Sequence, residues 1–506
     1  MDAVRKHAFA RWEPEMHALF AAGRYGEAAA LYDRHSDPSA EASLLRSRIY
    51  LGTDVSRGLA LLNALRVASH SPLDVRRRAL LGEAYALSGD YEAADAHLDD
   101  ALASARALRD GELVAETGYR MARRYVMAGD HAGALAALAI AREGRSLDSR
   151  LNALHAESAV FMNDPTAKWG TRSLVELLRL IDPAGTEHVH HRAAATHTLA
   201  VRARELYLPD VVAEVERQLQ GSPWPDDFAH NRFQALKALG WTRALQGDYF
   251  NAFRFLKECT RSAPTDAWRT MALCDRAYLA TSIGEHRWAR QELLEAEEIS
   301  QRVAWEGCKD EESVALLLLA ELYAPIDAAQ ASAYVARFHR AGEVKNARNL
   351  LKDERRRALV DFSSGVVDMA LGNRKLAVSR LTASLRVYRE VGFQWRAGRC
   401  ALRLFDVTRK REHLSAAEEL LRNYSPSWLG DELRARRAPQ TGAVVLSPMR
   451  ERVFKLLCEG RSNEEIAAIV GRSKATVANH AKAVLKCYGV SSRSALLAQA
   501  HKRGVV

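Results

Sequence analysis

A chain of 506 residues, 48% of them hydrophobic, is long enough to bury more than one core and too apolar to stay disordered. Its six cysteines, Cys259, Cys274, Cys308, Cys400, Cys458 and Cys487, form no Cys-x-x-Cys pair, which argues against a zinc finger or a disulfide framework and fits a reducing cytosol. The opening Met-Asp-Ala-Val-Arg-Lys lacks the apolar core of a signal peptide, and the apolar runs at 132–141 and 314–320 are too short to span a bilayer, so a cytoplasmic chain without a membrane partner is expected.

From the start to about Asn423 no convincing strand is found. One short phrase recurs instead: Gly23-Arg-Tyr25-Gly-Glu-Ala28, Gly89-Asp-Tyr91-Glu-Ala-Ala94, Gly129-Asp-His131-Ala-Gly-Ala134, Gly247-Asp-Tyr249-Phe-Asn-Ala252, Gly284-Glu-His286-Arg-Trp-Ala289 and Gly372-Asn-Arg374-Lys-Leu-Ala377. The glycine can take the left-handed conformation that ends a helix, the next polar residue can start another, and the small alanine lets the two helices approach closely. Each phrase therefore predicts the elbow of a helical hairpin, with Tyr25, Tyr91 and Tyr249 as packing residues. Weaker elbows are expected near Gly52 and between Glu412 and Ala416. The intervals of forty residues (89 to 129) and thirty-seven (247 to 284), with Gly-x-Tyr-x-x-Ala at the elbow, resemble tetratricopeptide (TPR) repeats, somewhat longer than their usual period. The resemblance implies an α-solenoid over residues 1–422, of roughly ten to twelve hairpins, whose concave groove binds a peptide or protein.

Residues 164–240 are irregular, broken by Pro165, Pro183, Pro209, Pro223 and Pro225, and read either as diverged repeats or as a break between two solenoid segments. Glu187-His188-Val-His190-His191, with His197, is the one cluster with metal-ligand chemistry. Neighbouring helix positions point in different directions, so a helix start with exposed histidines is the better account, and no metal or cofactor is expected. Residues 423–445 read as a linker, whose Arg434, Arg436 and Arg437 suit either DNA phosphates or a solvated helix end.

The last stretch carries the most specific pattern. Ser447 and Pro448 open a first helix to about Glu459, Gly460 stops it, and Ser462-Asn-Glu-Glu465 is a capping box that opens a second. Gly471 allows a tight turn into Ser473, the cap of a third helix, on which Val477, Ala481, Val484, Leu485 and Tyr488 form an apolar stripe opposite Lys474, Ala478, Asn479, Lys482 and Lys486. Ser491 or Ser492 caps a last helix, whose Leu496, Leu497 and Ala500 can pack on this unit or on a second copy. Eleven basic residues against four acidic ones from Leu446 onward leave +7 of the chain's formal +10 here. Leu446-Ser-Pro, Gly460, Ile466-Ala467, Ser473-x-x-Thr476-Val477-x-x-His480 and Gly489-Val490-x-x-Arg493 together resemble the LuxR-type helix-turn-helix of bacterial regulators, over about the last sixty residues. Met449, Arg450 and Cys487 depart from that pattern.

This resemblance implies DNA binding as a homodimer through residues 446–506. Ala478, Asn479 and Lys482 would face base edges, with Ser473, Lys474, Thr476 and Lys486 at the phosphates. The Gly-x-x-x-x-Gly-Lys-Ser/Thr loop of an ATPase module is missing, no receiver-domain or lactone-pocket pattern is present, and the paired carboxylates sit on solvated helix faces, so no enzyme is expected. The expected whole is all-α: a TPR-like solenoid followed by a small four-helix LuxR-type domain. The expected function is a sequence-specific transcriptional regulator, an activator on family resemblance, controlled through protein or peptide binding to the solenoid, which would govern dimerisation or recruit a protein partner or RNA polymerase. The competing reading is a solenoid adaptor whose helix-turn-helix has a secondary or lost DNA role.

Overall fold

Every regular element is helical in the computed structural model, which describes residues 2–35, 38–161, 170–182, 185, 187–221, 224–308, 310–344, 354–437, 446–488, 490 and 492–502. The chain divides into two compact units, Met1–Asp431 and Glu432–Val506.

The first unit is a TPR-like α-solenoid. Its first five hairpins are α1 (Asp2–Ala21) with α2 (Tyr25–Asp33), α3 (Ala40–Leu51) with α4 (Val55–Ala64), α5 (Pro72–Ser88) with α6 (Tyr91–Leu108), α7 (Gly111–Ala128) with α8 (His131–Ala141), and α9 (Leu147–Val160) with α10 (Thr171–Leu180). Six more follow: α11 (Val189–Leu206) with α12 (Val212–Gln220), α13 (Ala229–Leu245) with α14 (Tyr249–Arg261), α15 (Asp266–Ser282) with α16 (His286–Arg302), α17 (Asp310–Tyr323) with α18 (Ala328–Val344), α19 (Glu354–Ala370) with α20 (Arg374–Glu390), and α21 (Gln394–Thr408) with α22 (Arg411–Leu420). Most odd-numbered helices touch the next odd-numbered one directly and build the inner layer.

The six glycine elbows work as their sequence suggests, whereas the weaker one expected between Glu412 and Ala416 lies inside α22, the turn falling at Arg409 and Lys410. Gly23, Gly89, Gly129, Gly247, Gly284 and Gly372 all have φ between +74° and +85°, where a Cβ is strained. After three of them the Asp90, Asp130 and Asp248 carboxylates accept the backbone N–H of Ala93, Gly133 and Asn251 at 3.1, 2.9 and 3.2 Å. The alanine of each phrase is buried: Ala28, Ala94, Ala134, Ala252, Ala289 and Ala377 are at most 6% exposed. Its counterpart on the preceding helix, seven residues before the elbow glycine, is another small residue in five of the six hairpins: Gly82, Ala122, Gly240, Ala277 or Gly365. A Cβ on Gly82 would lie 2.5 Å from Leu98 Cγ and 3.0 Å from the Ala94 carbonyl, so the helices meet nearly backbone to backbone.

Residues 164–240 hold shortened repeats. Residues 162–169 lie outside the described set, and α10 and α12 have only 10 and 9 residues. One apolar core runs through Leu151, Leu177, Leu199, Val215 and Phe233 and on to Val367 without a break.

Two long-range closures turn the solenoid into a wound superhelix. The first hairpin meets the sixth and the turn after it: the Gly26 N–H donates to Asp227 at 3.2 Å, Tyr25 packs on Phe228 with ring centroids 5.5 Å apart, and Phe20 faces His190 at 6.5 Å. The sixth hairpin meets the eleventh, again five hairpins on. There the buried Glu205 carboxylate accepts Arg396 Nε at 2.7 Å, Arg396 Nη2 at 2.9 Å and Trp395 Nε1 at 3.2 Å, and also pairs with Arg204. Burial pushes the Glu205 carboxyl up, but Arg204 and Arg396 outweigh it and hold its pKa at about 2. Trp241 packs against Trp395 and Trp428, with centroids 6.1 and 5.5 Å apart, and Arg399 pairs with Glu321 at 2.9 Å. The expected open groove is therefore filled by side chains in this second turn.

Two expectations are corrected here. Of the stretch 423–445 read as linker, residues 423–437 are structured: a short 3-10 turn, Arg422–Tyr424, leads to α23 (Trp428–Arg437), and Tyr424, Trp428 and Leu429 are buried at 1%, 1% and 0% exposure. Pro426 and its serines read as linker chemistry, yet they hold the turn whose backbone lies against Gly247. Residues 438–445 are outside the described set, and Arg436 is paired with Glu432 on its own helix at 3.1 Å. The histidines also differ. His188 occupies the cap of α11, but His191 is only 3% exposed and His190 is half-buried: His155 of α9 meets His191 with ring centroids 5.9 Å apart, and Phe20 of the first hairpin faces His190. Among the described residues no group of three or more His, Cys, Asp or Glu side chains is arranged to hold a metal.

Glu205→Ala should cost about 3–5 kcal/mol, since it leaves Arg396 buried without its carboxylate. All nine tryptophans precede residue 432, so urea unfolding followed by tryptophan emission reads this unit alone. A second expectation concerns pH. Burial pushes His155 down to about 4 and His190 and His197 to about 3, so the folded chain holds them neutral while the unfolded chain protonates them below about 6.5. Stability should therefore fall between pH 6.5 and 4, by about 2 kcal/mol per histidine at pH 5 relative to pH 7. Urea midpoints across that range should show a flatter profile for His190→Gln.

Candidate nucleic-acid interface

The second unit positions a basic helix on a small four-helix scaffold, α24 (Pro448–Cys458), α25 (Asn463–Val470), α26 (Lys474–Tyr488) and α27 (Arg493–Lys502). Ser447 stands at the cap of α24, with Pro448 at its first position, though the Ser447 hydroxyl makes no capping bond. The capping box of α25 is complete: the Glu465 N–H donates to Ser462 Oγ at 3.2 Å and the Ser462 N–H to Glu465 Oε2 at 2.7 Å. That backbone donor holds the Glu465 carboxyl below its usual range. Gly471 ends α25 at φ +64°, and Ser473 Oγ accepts the Thr476 N–H at 3.2 Å to start α26.

Packing fixes which side of α26 is presented. Val477, Ala481 and Val484 are buried against Val453, Phe454 and Leu457 of α24, Ile466 of α25 and Leu496 of α27, while Leu485 packs at the edge. The side chains of Tyr488, Cys487 and Ala500 lie outside the described set. Leu496 packs inward and Leu497 is 37% exposed.

Of the residues expected to face DNA, Ser473, Lys474, Asn479, Lys482 and Lys486 are exposed, and Thr476 and Ala478 are half-buried. Asn479, Lys482 and Lys486 follow at three- and four-residue steps, a row of about 10 Å along the helix. Helix α26 contains no acidic residue, and among the described residues neither Lys482 nor Lys486 has a carboxylate within ion-pair distance. The other predicted contacts are partly engaged. Lys474 is ion-paired with Glu464 across the turn, and the Thr476 hydroxyl bonds Ser473 Oγ at 2.8 Å. Both interactions lie at the surface, so the cost of exchanging such partners for a phosphate is small.

Sequence reasoning missed two residues of this face. Ala475 is exposed one turn before Asn479, and Arg472 is exposed in the turn itself, with no carboxylate partner among the described residues. Helical spacing back from Asn479 would have found the first. Arg493, counted with the basic surface, is exposed but engaged within the domain. It donates to the Arg461 carbonyl at 2.9 Å and to Asn463 Oδ1 at 2.5 Å, strapping α27 to the loop before α25.

Residues 444–500 match the profile of the bacterial regulatory proteins of the luxR family. They are a LuxR-type helix-turn-helix domain. No curated protein matches the chain. Among solved structures, the human IFIT1 dimer with PPP-AAAA is similar at 14% identity, over 83% of this chain and 93% of that one, with a TM-score of 0.38. The APC/C hetero-tetramer Cut9-Hcn1 is similar at 13% identity, over 83% and 89%, with a TM-score of 0.30.

In the LuxR-type domain, Arg493→Met should loosen α27 by about 1 kcal/mol, the worth of a charge-assisted hydrogen bond at a wet site. Hydrogen exchange of the full chain should then quicken roughly fivefold at 493–502 and stay unchanged over 477–484.

Proposed function

We propose that this chain is a sequence-specific DNA-binding transcriptional regulator, an activator, whose helical repeat domain (1–422) binds a protein or peptide and whose LuxR-type domain (446–506) reads an operator. The observation that carries it is the face of α26: exposed, free of acidic residues, and held in place by a buried stripe on the opposite side. In this reading Asn479 contacts adenine and Lys482 guanine in the major groove, while Ala478 touches a thymine methyl. Ser473, Lys474, Thr476 and Lys486, with the N–H groups at the start of α26, set the helix on phosphates, joined by Arg472. Two copies bind as a homodimer, their recognition helices one turn of DNA apart, on a roughly palindromic site. The repeat domain recruits its partner, RNA polymerase among the candidates, in the cytoplasm and without catalysis of its own. No helix among the described residues is long and apolar enough to cross a membrane.

Genome-wide occupancy of the intact protein, beside an Asn479→Ala, Lys482→Ala variant, tests this. Sharp peaks that share a palindromic motif and vanish in the variant are expected, along with at least a thirtyfold loss of affinity in vitro, from about 1–3 kcal/mol per base contact. Lys486→Ala should weaken binding to all sequences and lower the salt slope by about one. Absence of enrichment for the unaltered protein in cells that express it would transfer the function to the solenoid alone, as an adaptor.

A further inference from the structure

The first superhelical turn, unlike the second, is not filled. Inner helices α1, α3, α5, α7, α9 and α11 surround a cavity of about 560 Å³, within the range of small-molecule sites. Its wall mixes leucines with charges, and most of those charges are already matched. Arg76 lies 3.4 Å from Glu116, and Arg120 lies 3.0 Å from Glu116 and 3.3 Å from Glu83. Glu112 is held by the Ser146 and Ser149 hydroxyls at 2.5 and 2.7 Å.

Three charges in the wall have no partner of opposite sign within ion-pair distance among the described residues: Glu187, and an exposed opposite pair that stands on one helix. The Arg48 guanidinium rests 4.8 Å over the Phe20 ring, and among the described residues no carboxylate lies within ion-pair distance of it. Glu41 has no cationic partner among them either. The two are seven residues apart on α3, so they share a face and are separated by about 10 Å along its axis. Across the cavity, His190 and His191 lie with ring centroids 4.0 Å apart, and the Nδ1 atoms of both are buried without a hydrogen-bond partner, His191 being 3% exposed. Both rings line the cavity. Burial keeps both rings neutral, so they present hydrogen-bonding edges and no added charge.

A polyanion would meet Glu41, Glu112, Glu116 and Glu187 with a single spare arginine, and a cation would face that arginine. A zwitterion satisfies the opposite pair on α3. We propose that this cavity binds a short free peptide of about three residues, its carboxylate on Arg48, its amine on Glu41 and its backbone amides on His190 and His191. Three extended residues span about 10 Å, the separation of the two charges. This deepens the reading that the repeat domain takes a protein or peptide, and it specifies free termini.

Equilibrium dialysis of the full-length protein against a mixed tripeptide library with free termini, read by mass spectrometry, tests it beside N-acetylated and C-amidated copies of the same library. A subset of free tripeptides should be enriched at least tenfold on the protein side, and capping either end should remove the enrichment. Arg48→Gln and Glu41→Gln should each remove it too, with circular dichroism confirming that the variants fold. No enrichment of any free tripeptide, or equal enrichment of capped ones, overturns the site without appeal to a variant. Operator binding by the same preparation is scored separately: DNA bound with no tripeptide retained sinks the site alone, and tripeptide retained with no DNA bound sinks the regulator reading alone.

Discussion

Close approach of paired helices is the constraint on which the repeat unit depends. At the crossing of α5 and α6 a glycine faces an alanine, and the same meeting recurs between α13 and α14 and between α19 and α20. Small residues at the crossing let helices of ordinary length stack with little wedge between them. Where the second helix is short, as at α12, the flanking inner helices α11 and α13 pack closely on each other. The two closures each join hairpins five apart.

The same logic of packing setting presentation governs the C-terminal unit. Val477, Ala481 and Val484 decide nothing about DNA directly, but they rotate Asn479, Lys482 and Lys486 outward as one row. Helix α26 of the LuxR-type domain thereby carries a core stripe on one side and the proposed DNA contacts on the other.

Much of this was legible because it is local. A glycine, a following Asp and an alanine five residues on encode a turn, a cap and a contact within one short phrase, and all six such phrases fold as elbows. The capping box at Ser462 and Glu465 is equally self-contained. What was hidden depends on partners far away in the chain. Nothing around Glu205 announces Arg396, 191 residues later, and nothing near His190 says that Phe20 of the first hairpin will face it. Tyr424 and Trp428 sit among prolines and serines that suggest a linker, and only the arrival of Tyr207 and Trp241 makes them core. Within the DNA-binding unit the caps were readable, whereas the Lys474–Glu464 pair and the Arg493 strap required the turn geometry.

The spacing of the closures also bears on how such a protein can evolve. Open solenoids lengthen by duplicating a repeat, since each repeat touches only its neighbours. Here Glu205 must meet Arg396 and Gly26 must meet Asp227, each across five hairpins. A duplication between either pair would carry one partner a whole hairpin past the other and strand a buried carboxylate or a turn. Drift in this lineage is thus steered toward substitution inside a fixed number of repeats, and relatives with one hairpin more or fewer within those spans would need a different set of stitches.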